Sequence, residues 1–351
     1  MDRAGLRARV EKALTSFLDQ QRGHLAAVDA ATAPVADALE SFVLGGGKRL
    51  RPAFAYWGYR GAGGTDSDRV VATVAALELV HASALIHDDV MDGSDLRRGE
   101  PAVHRRFATH HRTAGWRGDP DEFGTAAAIL LGDLCLVWSD ELLHASGLDP
   151  EALARARPVF YRMRTEVTTG QYLDIHIQAS RDTTVARALK VARFKSAKYT
   201  VEHPLLLGAA LAGAGQQVVT AYSGYGLPLG EAFQLRDDVL GMFGDPAHTG
   251  KPAGDDLREG KRTYLVASAF ESAPPAERAA LAATLGDPGL DEAGVRRLRE
   301  IVVGTGALAR TEQRISDLVA VALDRLATVT LDPEATEVLI ALATAATSRA
   351  D

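Results

Sequence analysis

Leu77–Gly99 reads LELVHASALIHDDVMDGSDLRRG. The apolar run that leads into it starts near Val70, carries Glu78 and His81, and ends at Ile86, just before Asp88, Asp89 and Asp92. It is too short and too polar for a membrane span, which takes ~20 apolar residues, so it predicts a buried helix. On that helix Asp88 and Asp92 share one face, about 6 Å apart along the axis. Acids are disfavoured at a helix C-terminus by the macrodipole, so three of them there require a cation. Mg2+ takes hard oxygen ligands, keeps several waters and bridges one or two carboxylates to phosphates.

About 150 residues later, EAFQLRDDVLGMFGD (Glu231–Asp245) places Asp237 and Asp238 after a second mostly apolar run. Gly241 stands where an i+4 acid would complete a shared face, and the next acid is Asp245. Alone, this pair reads equally well as surface acids; beside the first cluster it reads as ligands. Cations recur near both clusters. GGGKRLRP sets Lys48, Arg49 and Arg51 directly after three glycines, which let backbone approach an anion, and Arg offers a fork to phosphate oxygens. Taken alone, the same segment is a helix end followed by solvated charges. Arg97-Arg98 follow the first acids, Lys195 lies in RFKSAKY, and Lys251 and Lys261 lie in TGKPAGDDLREGKR. Each by itself is an ordinary surface charge. Together they describe a site for two phosphorylated substrates, one held through metals and one through Lys and Arg. His81 lies two helical turns before Asp88; it is a core histidine or, beside a phosphate site, an anion contact.

Apolar residues recur at spacings of three and four nearly throughout, and no Val/Ile-rich alternating strand stands out. Helices are predicted over most of the chain, including Ser67–Val90, Ala126–Ser146, Thr184–Ala197, Gln216–Phe243 and Glu292–Leu323, the last broken near Gly304–Gly306. GWRGDPDEFG, near Gly115–Gly124, reads as a loop. Short connections without a linker predict one continuous all-α domain over residues 1–351, with a catalytic core at about 34–272 and C-terminal helices at 276–348. An α-solenoid is the bland alternative, but no repeat period supports it. The 46% hydrophobic content is ample for a core, and the net charge of -7 argues against nucleic-acid binding. One cysteine, Cys135, excludes an intrachain disulfide, and the N-terminus has no apolar signal region; a cytoplasmic enzyme is expected.

GGGKRLRP, LIHDDVMD, Arg97–Gly99, GQYLD (Gly170–Asp174), FKSA, FQLRDDVLGMFGD and TGKPAGDDLREGK, in this order, resemble the trans-isoprenyl diphosphate synthase (polyprenyl synthetase) family over nearly the whole chain. The resemblance implies an all-α bundle around a deep cavity, a homodimer, and head-to-tail joining of isopentenyl diphosphate to allylic diphosphates. It implies three Mg2+ ions, replaceable by Mn2+, on Asp88, Asp92 and Asp237, with Asp89 and Asp238 in support. It further implies that Arg97, Lys195 and Lys251 hold the allylic diphosphate and that Lys48, Arg51, His81 and Arg98 hold isopentenyl diphosphate. Gln171, Asp174, Gln234, Asp255 and Lys261 match positions that line or support the site. Ser196 stands where the family usually has Thr, and Gly241 where many members have a further Asp.

Product length should depend on what lies below the first acids. Ser83 and Ala84 are small where fifteen-carbon synthases carry an aromatic floor, so geranylgeranyl diphosphate (C20) is expected, with farnesyl and C30–C40 products as alternatives and a deeper floor near Leu134–Trp138. A class I terpene cyclase would show an Asn/Asp-Ser/Thr-Glu second motif and would not need isopentenyl-side cations. A noncatalytic subunit of a heteromeric synthase would show degraded clusters.

Overall fold

The computed structural model describes residues 5–244 and 254–348. Lys251 and Asp245 lie outside them. Apart from one two-residue hairpin, regular structure among the described residues is helical, as expected. The chain divides into two compact units.

The first unit ends at Val159 and is completed by Leu207–Ala214 and Asp332–Val338. It contains α1 (Leu6–Val28), α2 (Ala33–Leu44), α3 (Leu50–Gly61), α4 (Asp68–Asp92), the strands β1 (Leu96–Arg97) and β2 (Glu100–Pro101), α5 (Val103–Thr113), α6 (Pro120–Ala145) and the start of α7 (Pro150–Ala179). Helix α4 is its centre. Ser67 caps it by accepting from the Val70 N–H at 3.3 Å, and Gly93 ends it in the left-handed region at φ 67°. Val70, Val74, Leu77, Leu79 and Ile86 are all but fully buried, and α4 packs most extensively on α6. It is long and apolar enough to cross a membrane, yet 72% of its most apolar window is buried within the protein. It is thus a core helix. Helix α6 begins six residues before the expected start at Ala126. Asp119 caps it, Pro120 occupies its first turn, and Asp121 and Glu122 complement the positive end of its dipole.

The second unit takes Phe160–Leu206, Gly215–Leu331 and the chain from Leu339. Here the expected single helix Thr184–Ala197 is instead α8 (Val185–Val191) and an eleven-residue π-helical stretch, Ala192–Glu202; α9 (His203–Ala212) follows without a break, its residues from Leu207 on being counted with the first unit. The π stretch lies tight against two glycines. A Cβ on Gly170 of α7 would strike the Lys195 backbone, and one on Gly230 of α10 (Gln216–Phe243) would strike Ala197. The i→i+5 pattern is the local solution to that close approach. Helix α10 packs on the π stretch and on α15 (Ala307–Leu326), and the expected break at Gly304–Gly306 separates α15 from α14 (Glu292–Gly304). Helices α11 (Asp255–Arg258), α12 (Tyr264–Ser272), α13 (Pro275–Thr284) and α16 (Pro333–Thr347) complete the order.

Candidate active site

In the first unit, the buried helix α4 carries a stripe of partly buried residues: His81, Ala84, Leu85, Asp88 and Asp92. Their spacing of three to four keeps them on one face, so Asp88 and Asp92 look out from the same side as expected. Asp89 points the other way and is fully buried. After Gly93 the chain returns through a hairpin in which Arg97 pairs with Glu100 across Arg98-Gly99. Both central residues have positive φ (55° and 79°), the requirement of a type I′ turn. The turn lays Arg97 over the acids: its Nε donates to Asp89 Oδ1 at 2.9 Å, its Nη2 bonds the same oxygen, and Asp88 Oδ2 lies 3.8 Å from Nη2. Asp89 thus anchors Arg97 beside the two outward carboxylates.

Residues that the resemblance assigns to isopentenyl diphosphate also lie in this unit. Arg98 Nη1 donates to the Gly46 carbonyl at 2.9 Å, tying the hairpin to the glycine loop. His81 is held well below the usual imidazole range, first by burial and then by the guanidinium groups of Arg51, Arg98, Arg97 and Arg49. At neutral pH it is therefore uncharged. The same crowding, led by burial and Arg49, lowers Arg98. Lys48 is exposed on the loop. Arg49, which the sequence groups with the phosphate cations, turns inward to Glu78 instead. Below Asp88, Ala84 is partly buried and Ser83 is buried, so only Ala84 lies on the stripe.

In the second unit, Asp237 is exposed and Asp238 buried at the end of α10. Gln234 Nε2 donates to Asp238 Oδ1 at 2.7 Å. Burial pushes the Asp238 carboxyl well above the ordinary carboxylate range; the Gln234 hydrogen bond opposes this, while Asp237, Asp256 and Asp174 add to it. Lys195 Nζ, presented by the π stretch, meets Asp174 Oδ2 at 2.6 Å, with Ser196 buried beside it. Gln171 is half-buried one turn before Asp174. Lys261 Nζ lies 2.6 Å from Glu259 Oε2 and 3.4 Å from Asp256 Oδ1. A Cβ on Gly241 would collide with Asp256 Oδ2, so a carboxylate from α11 occupies the space that an acid at this position would enter. Asp256, which the motifs did not single out, lies in this acid group. Arg236 is a further residue the motifs did not assign. It is buried, forks onto both Glu312 oxygens at 2.7 Å, and donates from Nε to the Thr347 carbonyl at 3.0 Å.

Both clusters fit Mg2+ by the chemistry of their donors. They offer hard carboxylate oxygens, and the second concentrates like charge that a cation relieves. Among the described residues no three His, Cys, Asp or Glu side chains form a closed metal cage. An ion at either cluster would complete its shell with water or phosphate, the usual habit of Mg2+.

The polyprenyl synthetase family model matches residues 32–302. The geranylfarnesyl diphosphate synthase of Aeropyrum pernix is 34% identical over 299 residues, spanning 84% of this chain and 87% of its own. The geranylgeranyl diphosphate synthase of Saccharolobus solfataricus is 34% identical over 259 residues, 73% of each chain. A crystal structure of geranylgeranyl pyrophosphate synthase from Corynebacterium glutamicum, complexed with isoprenyl diphosphate and magnesium, superposes with a TM-score of 0.96 at 44% identity and covers 100% of both chains. With its helical architecture, its ordered acid and cation motifs and these matches, the chain belongs to the polyprenyl synthetase family of prenyltransferases.

Proposed function

We propose that the protein condenses isopentenyl diphosphate head-to-tail with allylic diphosphates and releases geranylgeranyl diphosphate. The observation that carries this reading is the partly buried stripe on α4, which sets Asp88 and Asp92 on the face that also carries the small Ala84 one turn earlier. Asp88, Asp92 and Asp237 would hold Mg2+, three ions in all and replaceable by Mn2+, with Asp89 and Asp238 in support. Bound metal neutralises the charge of the leaving diphosphate and makes it a competent leaving group. Arg97, Lys195 and Lys251 hold the allylic diphosphate, and Lys48, Arg51, neutral His81 and Arg98 hold the other substrate. Gln171, Asp174, Gln234 and Lys261 orient these groups. The allylic diphosphate ionises to an allylic cation and free diphosphate, the isopentenyl double bond attacks that cation, and the proton then lost passes to the released diphosphate. The protein contributes orientation and exclusion of water.

Both units belong to one catalytic domain in this reading. The outer face of α6, with Ile129 46%, Leu130 62% and Val137 62% exposed, supports a homodimer, and the lone buried Cys135 fits a cytoplasmic setting. Light scattering should give twice the chain mass. Chromatography of dephosphorylated products from C5, C10 and C15 primers tests the reaction: a C20 alcohol is expected, and no elongation would refute it. One unit more is the second reading, favoured by the name of the Aeropyrum relative.

A further inference from the structure

Arg49 stands between Lys48 and Arg51, yet it does not share their direction. Its backbone is left-handed, φ 49° and ψ 40°, an unusual state for a residue with a side chain. Its guanidinium is buried: Nη1 donates to Glu78 Oε2 at 2.6 Å, and Nη2 donates to the Val43 carbonyl at 2.8 Å. The two paired side chains are only 4% and 5% exposed. Glu78 lies one turn before His81 on α4, so the pair joins the glycine loop to the helix that carries His81 and Asp88. The loop is tied a second time where Arg98 reaches the Gly46 carbonyl. Between these ties, at Gly46 and Gly47, φ is 95° and 128°, values that only glycine accepts easily. Arg49 also precedes α3, whose first turn holds Arg51. One buried pair thus sets the course of the loop bearing Lys48 and the start of the helix bearing Arg51. A strained backbone held by a buried fork is the mark of a part whose geometry is enforced.

We propose that the Arg49–Glu78 ion pair is a positioning device that holds the glycine loop so that Lys48, Arg51 and Arg98 are preset for the diphosphate of isopentenyl diphosphate, without touching it. This rests on the reading of the cation group given above. Three proteins test it by steady-state kinetics with both substrates varied and melting temperature measured in parallel. Glu78→Gln alone would strand a buried charge and weaken folding, so the decisive variant is Arg49→Met with Glu78→Met, which removes both charges at similar volume. It should fold, and its KM for isopentenyl diphosphate should rise about 10- to 100-fold while the KM for the allylic primer stays within about twofold. The milder Arg49→Lys keeps the charge but loses the fork. It should fall between wild type and the double variant, and it decides the question if the double variant does not fold. An unchanged isopentenyl KM in a folded variant, or an equal rise in both KM values, would overturn the proposal. Wild-type protein that consumes no isopentenyl diphosphate would instead overturn the functional reading, and the proposal with it.

Discussion

The two aspartate clusters do similar work in sequence and are built differently in space. In the first, the middle acid Asp89 is buried in an ion pair with Arg97, while Asp88 and Asp92 share another face of the helix. In the second, the middle acid Asp238 is buried against the neutral Gln234 and among three other carboxylates, which favours its protonated form. In the first cluster an arginine binds the middle acid itself, whereas in the second the lysines meet the neighbouring acids, Lys195 at Asp174 and Lys261 near Asp256, and the middle acid is met by an amide.

The largest effects fall on the outward acids. Asp88→Ala and Asp237→Ala should each lower turnover by roughly 10²–10³-fold or more, read as diphosphate release. Near-normal turnover in either variant would remove that residue from the metal site. Next come the arginines that hold each cluster. Arg97→Met takes the guanidinium from a fully buried carboxylate and should destabilise the fold by about 3 kcal/mol while also abolishing activity. Arg236→Met breaks the fork to Glu312, which is 22% exposed, so about 2 kcal/mol is expected with a milder loss of activity. Urea unfolding checks both, and the reverse order would break the contrast between the clusters.

Product length gives a finer test. Ala84→Phe, on the partly buried stripe, should shorten the product more than Ser83→Tyr, because Ser83 faces the packed interior. Equal shortening by both would contradict the assignment of the cavity wall. The smallest effect concerns pH. The ordinary value for the Asp238 carboxyl is 3.8, and its folded pKa lies well above that. Between the two, the folded state holds the extra proton, so stability of the metal-free protein falls as pH rises through this window. Asp238→Asn removes that decline and should raise the melting temperature at neutral pH. Parallel decline in variant and wild type would rule out Asp238 as its source.

Much of this was legible in the chain. The i, i+4 relation of Asp88 and Asp92 needs only helical geometry, and the order of the motifs identified the family. Arg49 was not legible, because its inward turn depends on Glu78, 29 residues away. The π stretch was missed because an i→i+5 register leaves no periodic mark; its cause is contact with Gly170 and Gly230 on other helices. The early start of α6 is hidden in GWRGDPDEFG, whose glycines read as a loop, although Asp119-Pro120 is a cap followed by a helix-starting proline. Asp256 joins the acid group only through its place beside Gly241.

The central proposal is that each aspartate cluster serves Mg2+ in the reaction. Mg2+-dependent diphosphate release from an allylic primer plus isopentenyl diphosphate, measured for wild type, Asp88→Ala and Asp237→Ala over a range of Mg2+ concentrations, tests it most directly. Each variant should be slower than wild type by roughly 10²-fold or more and should need more Mg2+ for its half-maximal rate. A variant with the rate and the Mg2+ dependence of wild type would contradict the account.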